Sequence, residues 1–291
     1  MEVWINKMRR FGLITNAYKD KELNITKRIA AYIEGKGGEA VCLSQKDGII
    51  LDYEQMDYSN IPDNLDCLIV LGGDGTLIRV ATATRRSKIP LIGVNLGTLG
   101  YLCELEEDTV FPAIDALMEE AYTVDERMML QGHWPNAEHG KSALNDIVIH
   151  RTGALSILSL HVYVNGEFLS TYDADGIILS TPTGSTGYNM SAGGPIVDPK
   201  AKMILLTPIN AHNLNSRSIV LSADDVIEIE MGSRRFQEDE VAGVSCDGDA
   251  IEQLHVGERF VIERSKHIIR IVKLNKKSFL EILRKKMGSY T

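Results

Sequence analysis

The sequence predicts an α/β N-terminal domain built on a doubly wound sheet, followed by an all-β sandwich domain. Three observations carry this. Up to about residue 121, short apolar runs alternate with stretches of helical period, the pattern of parallel strands joined by crossover helices. From Thr123 to about Leu274 the texture changes to many short strand-like runs with no long helical pattern between them. The final stretch, Lys276 to Met287, sets Phe279, Leu280, Ile282 and Leu283 among basic residues, an amphipathic pattern for a closing helix. The expected boundaries are 1–121, 122–274 and 275–291.

The elements follow in order. Phe11 to Thr15 is an apolar run ending in a polar turn, and Lys21 to Glu34 places Leu23, Ile25, Ile29, Ala30 and Ile33 near helical spacing. That helix should stop at Gly35 and the Gly37-Gly38 pair. Ala40 to Leu43 reads as a second strand. Leu65 to Leu71 reads as a third, apolar enough to be covered on both faces. A helix over Thr76 to Arg85, a strand over Pro90 to Val94 and a helix over Asp108 to Ala121 complete the first part. In the second part the strand-like runs are Asn145–His150, Ile157–Val164, Gly176–Leu179, Met203–Leu206, Val226–Glu230 and Arg259–Glu263. Asn165-Gly166, between two such runs, is a two-residue hairpin signal.

Composition narrows the class. The chain has 291 residues and a formal charge of −9 with both signs mixed along it, which argues against nucleic acid as the main partner. No segment approaches the ~20 apolar residues of a membrane span, and Met1 to Arg10 lacks the charged-then-apolar order of a secretory signal. Cys42, Cys67, Cys103 and Cys246 are scattered, with no metal or redox spacing, and fit a reducing compartment. A cytoplasmic protein with no membrane partner is expected. The histidines form no metal set, and no protein-held metal is predicted.

Three loops carry the chemistry. Leu71-Gly-Gly-Asp-Gly-Thr76 follows a buried strand and opens a helix, so Gly72, Gly73 and Gly75 let the backbone turn close to a ligand. The amides through Thr76 face an anion at a helix start. Asp74 is the odd member: among phosphate-binding amides a carboxylate either holds magnesium, takes a proton from an attacking hydroxyl, or caps the helix. Asn95-Leu-Gly-Thr-Leu-Gly-Tyr-Leu102 forms a second flexible loop, or an ordinary strand-to-helix connection. Asp175 to Pro195 is a run of hydroxyls and glycines with Tyr188. It suits adenine or ribose, through groups such as Thr183 and Thr186 and stacking on the tyrosine ring.

In their order, these motifs resemble the NAD kinase family, within a wider group that includes diacylglycerol-type lipid kinases and phosphofructokinases. Gly72 to Thr76 fits the whole group. Asn95–Leu102, Ala143-Leu-Asn-Asp146, Ser180–Thr186, Ser191-Ala-Gly-Gly-Pro195, Leu206-Thr-Pro-Ile209, His212 and Ser216-Arg217 narrow it. The resemblance spans about residues 66–250. It implies a Rossmann-like α/β domain, a C-terminal β-sandwich and a chain end that returns to the first domain. It implies transfer of the ATP γ-phosphate to the 2′-hydroxyl of the adenosine ribose of NAD, with Mg2+ or another divalent cation accompanying ATP. Asp74 would be the base or metal-linked carboxylate, with Gly75 and Arg79 beside NAD. Asn145 and Asp146 would contact the adenosine portion and Asp175 would lie near the nicotinamide or its ribose. Thr186, Gly187, Tyr188, Asn189 and Ser191 would line the pocket. A homodimer or homotetramer is implied.

Some positions depart from the family pattern. Asp146 stands where Glu is usual, Gly187 and Asn189 where Ala and Ser are common, Asp173 where a basic residue is frequent and Asp249 where Gln is common. Two alternatives stay beside the main expectation: a catalytically weak dinucleotide-binding sensor, and a lipid or small-alcohol kinase of the same group.

Overall fold

The computed structural model describes residues 7–46, 49–97, 100–153, 157–212, 216–233, 240–274 and 278–288. The chain divides into two compact units, Met1–Glu126 with Ile269–Thr291, and Arg127–Ile268.

The first unit runs through β1 (Arg10–Thr15), α1 (Asn24–Gly35), β2 (Glu39–Cys42), the short pair β3 (Gln45–Lys46) and β4 (Ile49–Ile50), β5 (Cys67–Gly72), α2 (Asp74–Ala83), β6 (Leu91–Asn95), β7 (Leu105–Glu106) and α3 (Val110–Met118). β2, β1, β5 and β6 lie side by side and parallel, and β7 joins β6 in the same sense. All of β5 is buried, as a strand covered on both faces must be. On one face Leu13, Ile69, Leu71, Ile92 and Val94 meet Ile29 and Ile33 of α1 and Val110, Ile114 and Leu117 of α3. On the other, Leu77 of α2 comes within 3.0 Å of the place a side chain on Gly93 would occupy. Helices therefore cover both faces, and the sheet is doubly wound.

Local chemistry sets the ends of α1. The Asp20 carboxylate accepts from the Ile25 and Thr26 amides, 2.9 Å each, and from the Thr26 hydroxyl at 2.7 Å, satisfying donors that have no helical partner. At the far end Gly37 takes a φ of 77°, and the Gly37 and Gly38 amides return to Glu34 O and Ile33 O.

β8 (Thr123–His133) carries the chain into the second unit. There follow β9 (Lys141–Ala143), β10 (Asp146–Arg151), β11 (Leu158–Val164), β12 (Glu167–Ala174), β13 (Gly176–Ser180), the short α4 (Tyr188–Ser191), β14 (Met203–Ile209), β15 (Ile219–Ser222), β16 (Ile227–Gly232), β17 (Val241–Cys246), β18 (Asp249–His255) and β19 (Arg259–Lys273). β12, β11, β16 and the start of β19 pair antiparallel. A second antiparallel sheet runs β15-β14-β13-β10-β17-β18. Alternate residues of the two sheets share one core: Leu158, Leu160, Ile229 and Phe260 from the first, Ile147, Ile149, Ile177, Leu179 and Val244 from the second. This is a sandwich. Asn165 and Gly166 join β11 to β12 with φ of 52° and 80°, the two left-handed residues of a tight hairpin.

Where the structure goes beyond the sequence reading, the cause is mixed polarity. β18 is an edge strand with one buried residue, Leu254, so its sequence shows no apolar run. The run at Arg259–Glu263 is the start of a strand 15 residues long, whose continuation hides outward charges between buried Ser265, Ile269 and Ile271. Ile271 pairs parallel with Leu91 of β6, so the end of β19 belongs to the first unit rather than to the sandwich. α5 (Phe279–Gly288) belongs to the first unit too, and its Lys286 ammonium lies 5.1 Å from the centre of the Tyr101 ring. No described helix is long and apolar enough to cross a membrane.

Phe260 is fully buried and meets Trp134 edge to face, with ring centres 4.6 Å apart. Gly132 lies under it, where a Cβ would come 2.5 Å from the ring. Truncating this ring leaves a cavity that neighbours on two sheets cannot close, so Phe260→Ala should lower unfolding free energy by roughly 3–5 kcal/mol in urea titrations. A loss below about 1 kcal/mol would show that the site collapses freely.

Candidate functional site

In the first unit, β1, β5 and β6 deliver their carboxyl ends to one place. Thr76 is buried with its side chain packed where a Cβ on Gly72 would sit, which is why the first position of the turn is glycine. Leu77 makes the first intrahelical bond of α2, to Gly73 O at 3.0 Å, so the amides of Asp74, Gly75 and Thr76 precede it. Those amides and the helix dipole favour an anion.

Asp74 does not cap its own helix. Gly73 is the residue at the cap, and no side chain bonds there. The Asp74 carboxylate accepts instead from the backbone amides of Tyr101 (2.5 Å), Leu102 (3.2 Å) and Cys103 (2.9 Å). Gly100 lies against it so closely that any Cβ would overlap the carboxylate. Asn95 is buried; its side-chain amide nitrogen donates to Gly97 O at 2.7 Å while its Oδ1 has no partner among the described residues. Thr98 and Leu99 of this second glycine loop lie outside the described residues. Arg79 sits a turn further along α2, exposed and paired with Glu54 at 2.8 Å.

In the second unit, Asn145, Asp146, Asp175 and Tyr188 line one pocket of 680 Å3, together with His150, Arg151, Asn210 and Asp247. The hydroxyl-rich segment beside it is folded on itself rather than loose. Thr181 donates to Leu144 O at 2.6 Å, Ser185 to Pro182 O at 2.7 Å, and the Gly184 amide to Thr181 Oγ1 at 3.1 Å. Asn189 is fully buried, donating to Ser185 O and Pro195 O and accepting from the Thr207 hydroxyl, so it braces the segment from inside. Gly184 has to be glycine because a Cβ would strike the Asn145 carbonyl. Gly187 faces Asn145 Nδ2 and Asp146 Oδ2, at 3.6 and 3.9 Å from where its Cβ would be. The Thr186 hydroxyl turns to Thr183 O at 3.5 Å, and Ser191 is exposed at the end of α4.

Two buried oxygens here, Asn145 Oδ1 and Thr183 Oγ1, have no hydrogen-bond partner among the described residues. Unmet polar atoms of this kind are costly, and their position beside a cavity suits a ligand that supplies donors. Asp175 is bonded by Asn210 Nδ2 at 2.9 Å and faces Arg151 Nε at 3.4 Å. Asp247, with φ 50° in the turn between β17 and β18, accepts from the amides of Leu144, Asn145 and Asp146 at 2.7, 2.7 and 3.2 Å. Burial, reinforced by the neighbouring Asp247 charge, pushes the Asp146 carboxyl up to about 7.

Sequence reasoning did not single out Asp247, Arg151, Asn210 or Lys19. Asp247-Gly248 had a usable signal, being a hairpin dipeptide. Arg151 and Asn210 reach the pocket only through strand pairing. Lys19 follows the polar turn after β1, and its ammonium lies 3.1 Å from where a Cβ on Gly73 would be.

Comparison with known proteins identifies the family. The model of the ATP-NAD kinase N-terminal domain matches residues 11–122, and that of the ATP-NAD kinase C-terminal domain matches residues 144–274. The NAD kinase of Agathobacter rectalis is 62% identical over 284 residues, covering 98% of this chain and 100% of its own. That of Lachnospira eligens is 42% identical, covering 96% and 100%. Among solved structures, yeast NADH kinase complexed with NADH superposes with a TM-score of 0.81 at 25% identity, covering 98% of this chain and 89% of that one. An NAD kinase from Archaeoglobus fulgidus in complex with ATP shares the fold, with a TM-score of 0.75 at 23% identity over 96% and 99% of the two chains. The chain belongs to the ATP-NAD kinase family.

The Asp146 environment gives a stability signature. With its pKa near 7 when folded and 3.8 as the reference, the native state holds a proton that the unfolded chain has released between those values. Stability from this group is therefore present below about pH 4 and lost as pH rises through about 7. Asp146→Asn should remove that component, so that its urea midpoint, compared with wild type at pH 5 and pH 7.5, gains relative to wild type at the higher pH. Parallel curves for the two proteins would show that the carboxyl is ionised throughout.

Proposed function

We propose that this protein transfers the γ-phosphate of ATP to the 2′-hydroxyl of the adenosine ribose of NAD, giving NADP and ADP. The bond between the 2′-oxygen and phosphorus forms as the bond from phosphorus to the β,γ-bridging oxygen breaks. The hydroxyl proton passes to the Asp74 carboxylate. The observation that carries this reading is the fixed Asp74 side chain, whose carboxylate the backbone amides of Tyr101, Leu102 and Cys103 hold in one orientation beside the anion-binding turn. Asn145, Asp146, Asp175, Thr183 and Tyr188, at or beside the pocket of the second unit, are suited to hold the dinucleotide, with the unmet Asn145 and Thr183 oxygens accepting from its hydroxyls or adenine amine. Thr76 and Asn189 then serve the reaction by bracing the loops.

Among the described residues no cluster of three or more His, Cys, Asp or Glu is arranged to hold a metal. The divalent cation that the reaction calls for would arrive with ATP and draw most of its ligands from phosphate and water, as magnesium commonly does. Such an ion neutralises charge on the phosphates. The cysteines are free thiols, in keeping with residence in the cytoplasm. Assembly as a homodimer or homotetramer is supported by the family and by the exposed apolar side chains Phe168, Leu169 and Val220; light scattering at a monomer mass of 32.2 kDa would refute it.

Asp74→Asn should lower turnover by about 10²–10⁴-fold, the usual contribution of a positioned base. A thermal melt of the same variant separates this from damage to the loop, because an amide group places a donor against the Tyr101–Cys103 amides. The readout is NADP formed from ATP and NAD. A loss below tenfold in a well-folded variant would remove Asp74 from the role of base.

A further inference from the structure

Lys19 stands on a turn that has little freedom. The Asn16 amide donates to Leu71 O at 2.9 Å, its side-chain nitrogen reaches Thr76 Oγ1 at 3.3 Å, and its Oδ1 accepts from the Tyr18 amide at 3.1 Å. The Ala17 amide donates to Asp52 Oδ1 at 2.8 Å, and the Lys19 amide returns to Asn16 O at 3.0 Å. Asp20, the next residue, is buried and fixed to the start of α1. The backbone of Lys19 is thus tied to the carboxyl end of β5 and the first turn of α2. Its ammonium lies 3.1 Å from the place a Cβ on Gly73 would occupy and 3.5 Å from the corresponding place at Gly97. One cation therefore overhangs both glycine turns.

We propose that Lys19 clamps the terminal phosphates of the donor nucleoside triphosphate against the first amides of α2. The inference rests on the phosphotransfer reading above and assigns a residue to its donor side. A helix N-terminus carries only about half an elementary charge, well short of what a triphosphate presents, so a full positive charge beside it changes the balance. Asp74 does not cancel that charge by pairing, since its carboxylate is turned to the amides of Tyr101, Leu102 and Cys103. A second observation points to a ligand at the same place: Asn95 is 5% exposed, and its Oδ1 has no partner among the described residues and lies 3.8 Å from the Cβ position of Gly73. An acceptor buried beside a phosphate-binding turn is met by a donor that comes with the ligand, such as a hydroxyl or a phosphate-bound water. Lys19 is exposed, yet an unanchored surface lysine would have neither the fixed turn beneath it nor two side-chain-free residues facing its ammonium. The compact charge on a flexible stem suits a phosphate contacted as a point charge.

The test uses the full chain and two ligands that differ only in their outer phosphates. Calorimetry with the magnesium complex of β,γ-imido-ATP should show Lys19→Ala binding about tenfold or more weakly than wild type, the scale of one charge-assisted bond. AMP binding should change less than about twofold. In steady state the KM for ATP should rise while the KM for NAD stays put, and Lys19→Arg should recover most of the loss. Equal affinity of wild type and Lys19→Ala for the triphosphate analogue would overturn the clamp. So would parallel losses for the analogue and AMP, which would mean the turn had been disturbed as a whole. If wild type binds the analogue but forms no NADP from ATP and NAD, the functional reading fails, and the binding comparison still decides the clamp.

Discussion

A carboxylate gripping consecutive backbone amides is the constraint on which the first unit's site depends. Asp74 leaves the helix it begins and binds the amides of Tyr101, Leu102 and Cys103, so the turn after β5 and the segment after β6 are fixed to each other. The grip needs an absent side chain at Gly100, where any Cβ would overlap the carboxylate, and another at Gly72, where Thr76 fills the space. The glycines of this region are thus explained less by flexibility than by close approach. A base for phosphoryl transfer has to be held in place before the substrate arrives, because positioning supplies much of the catalysis in that chemistry.

The second unit uses the same device. Asp247 binds the amides of Leu144, Asn145 and Asp146, which places the Asn145 and Asp146 side chains at the pocket. Here the grip has an electrostatic consequence. A second, buried carboxyl lies next to the first, and burial together with that charge moves Asp146 toward neutrality at physiological pH. A half-protonated acid can donate as well as accept, so a pocket that already offers unpartnered oxygens at Asn145 and Thr183 gains one group able to reverse its role.

Much of this was legible in the sequence, for identifiable reasons. Helical spacing over Lys21–Glu34 and the glycines behind it place α1, and the unbroken apolar run before Gly72 places a strand buried on both faces. Asn165-Gly166 fixes a hairpin through backbone conformation alone. The edge strand β18 and the long β19 were not legible, because charges on an exposed face dilute the apolar signal. At the site, Gly72 to Thr76 and Asn145-Asp146 stand out as motifs, whereas Lys19, Arg151 and Asn210 become neighbours of those motifs only after the strands pair. The partner of Asp74 was equally hidden: proximity to a helix start suggested a cap, and the amides it binds lie 27 to 29 residues away.

The internal bonding of the hydroxyl-rich segment changes how its composition should be understood. Serine, threonine and asparagine clustered with glycine suggest a surface that touches ligand through every side chain. In the structure Thr181 accepts from the segment's own Gly184 amide, Ser185 and Asn189 donate to its carbonyls, and Thr183 is the buried hydroxyl left over among the described residues. Such a division follows from the cost of burying polar backbone: beyond the end of β13 the segment has only short helical turns, so many of its carbonyls and amides must find other partners, and short polar side chains are the nearest source. Recognition then falls to the few groups that this internal demand does not consume. For the same reason the number of hydroxyls in a binding loop is a poor guide to how many of them meet the ligand.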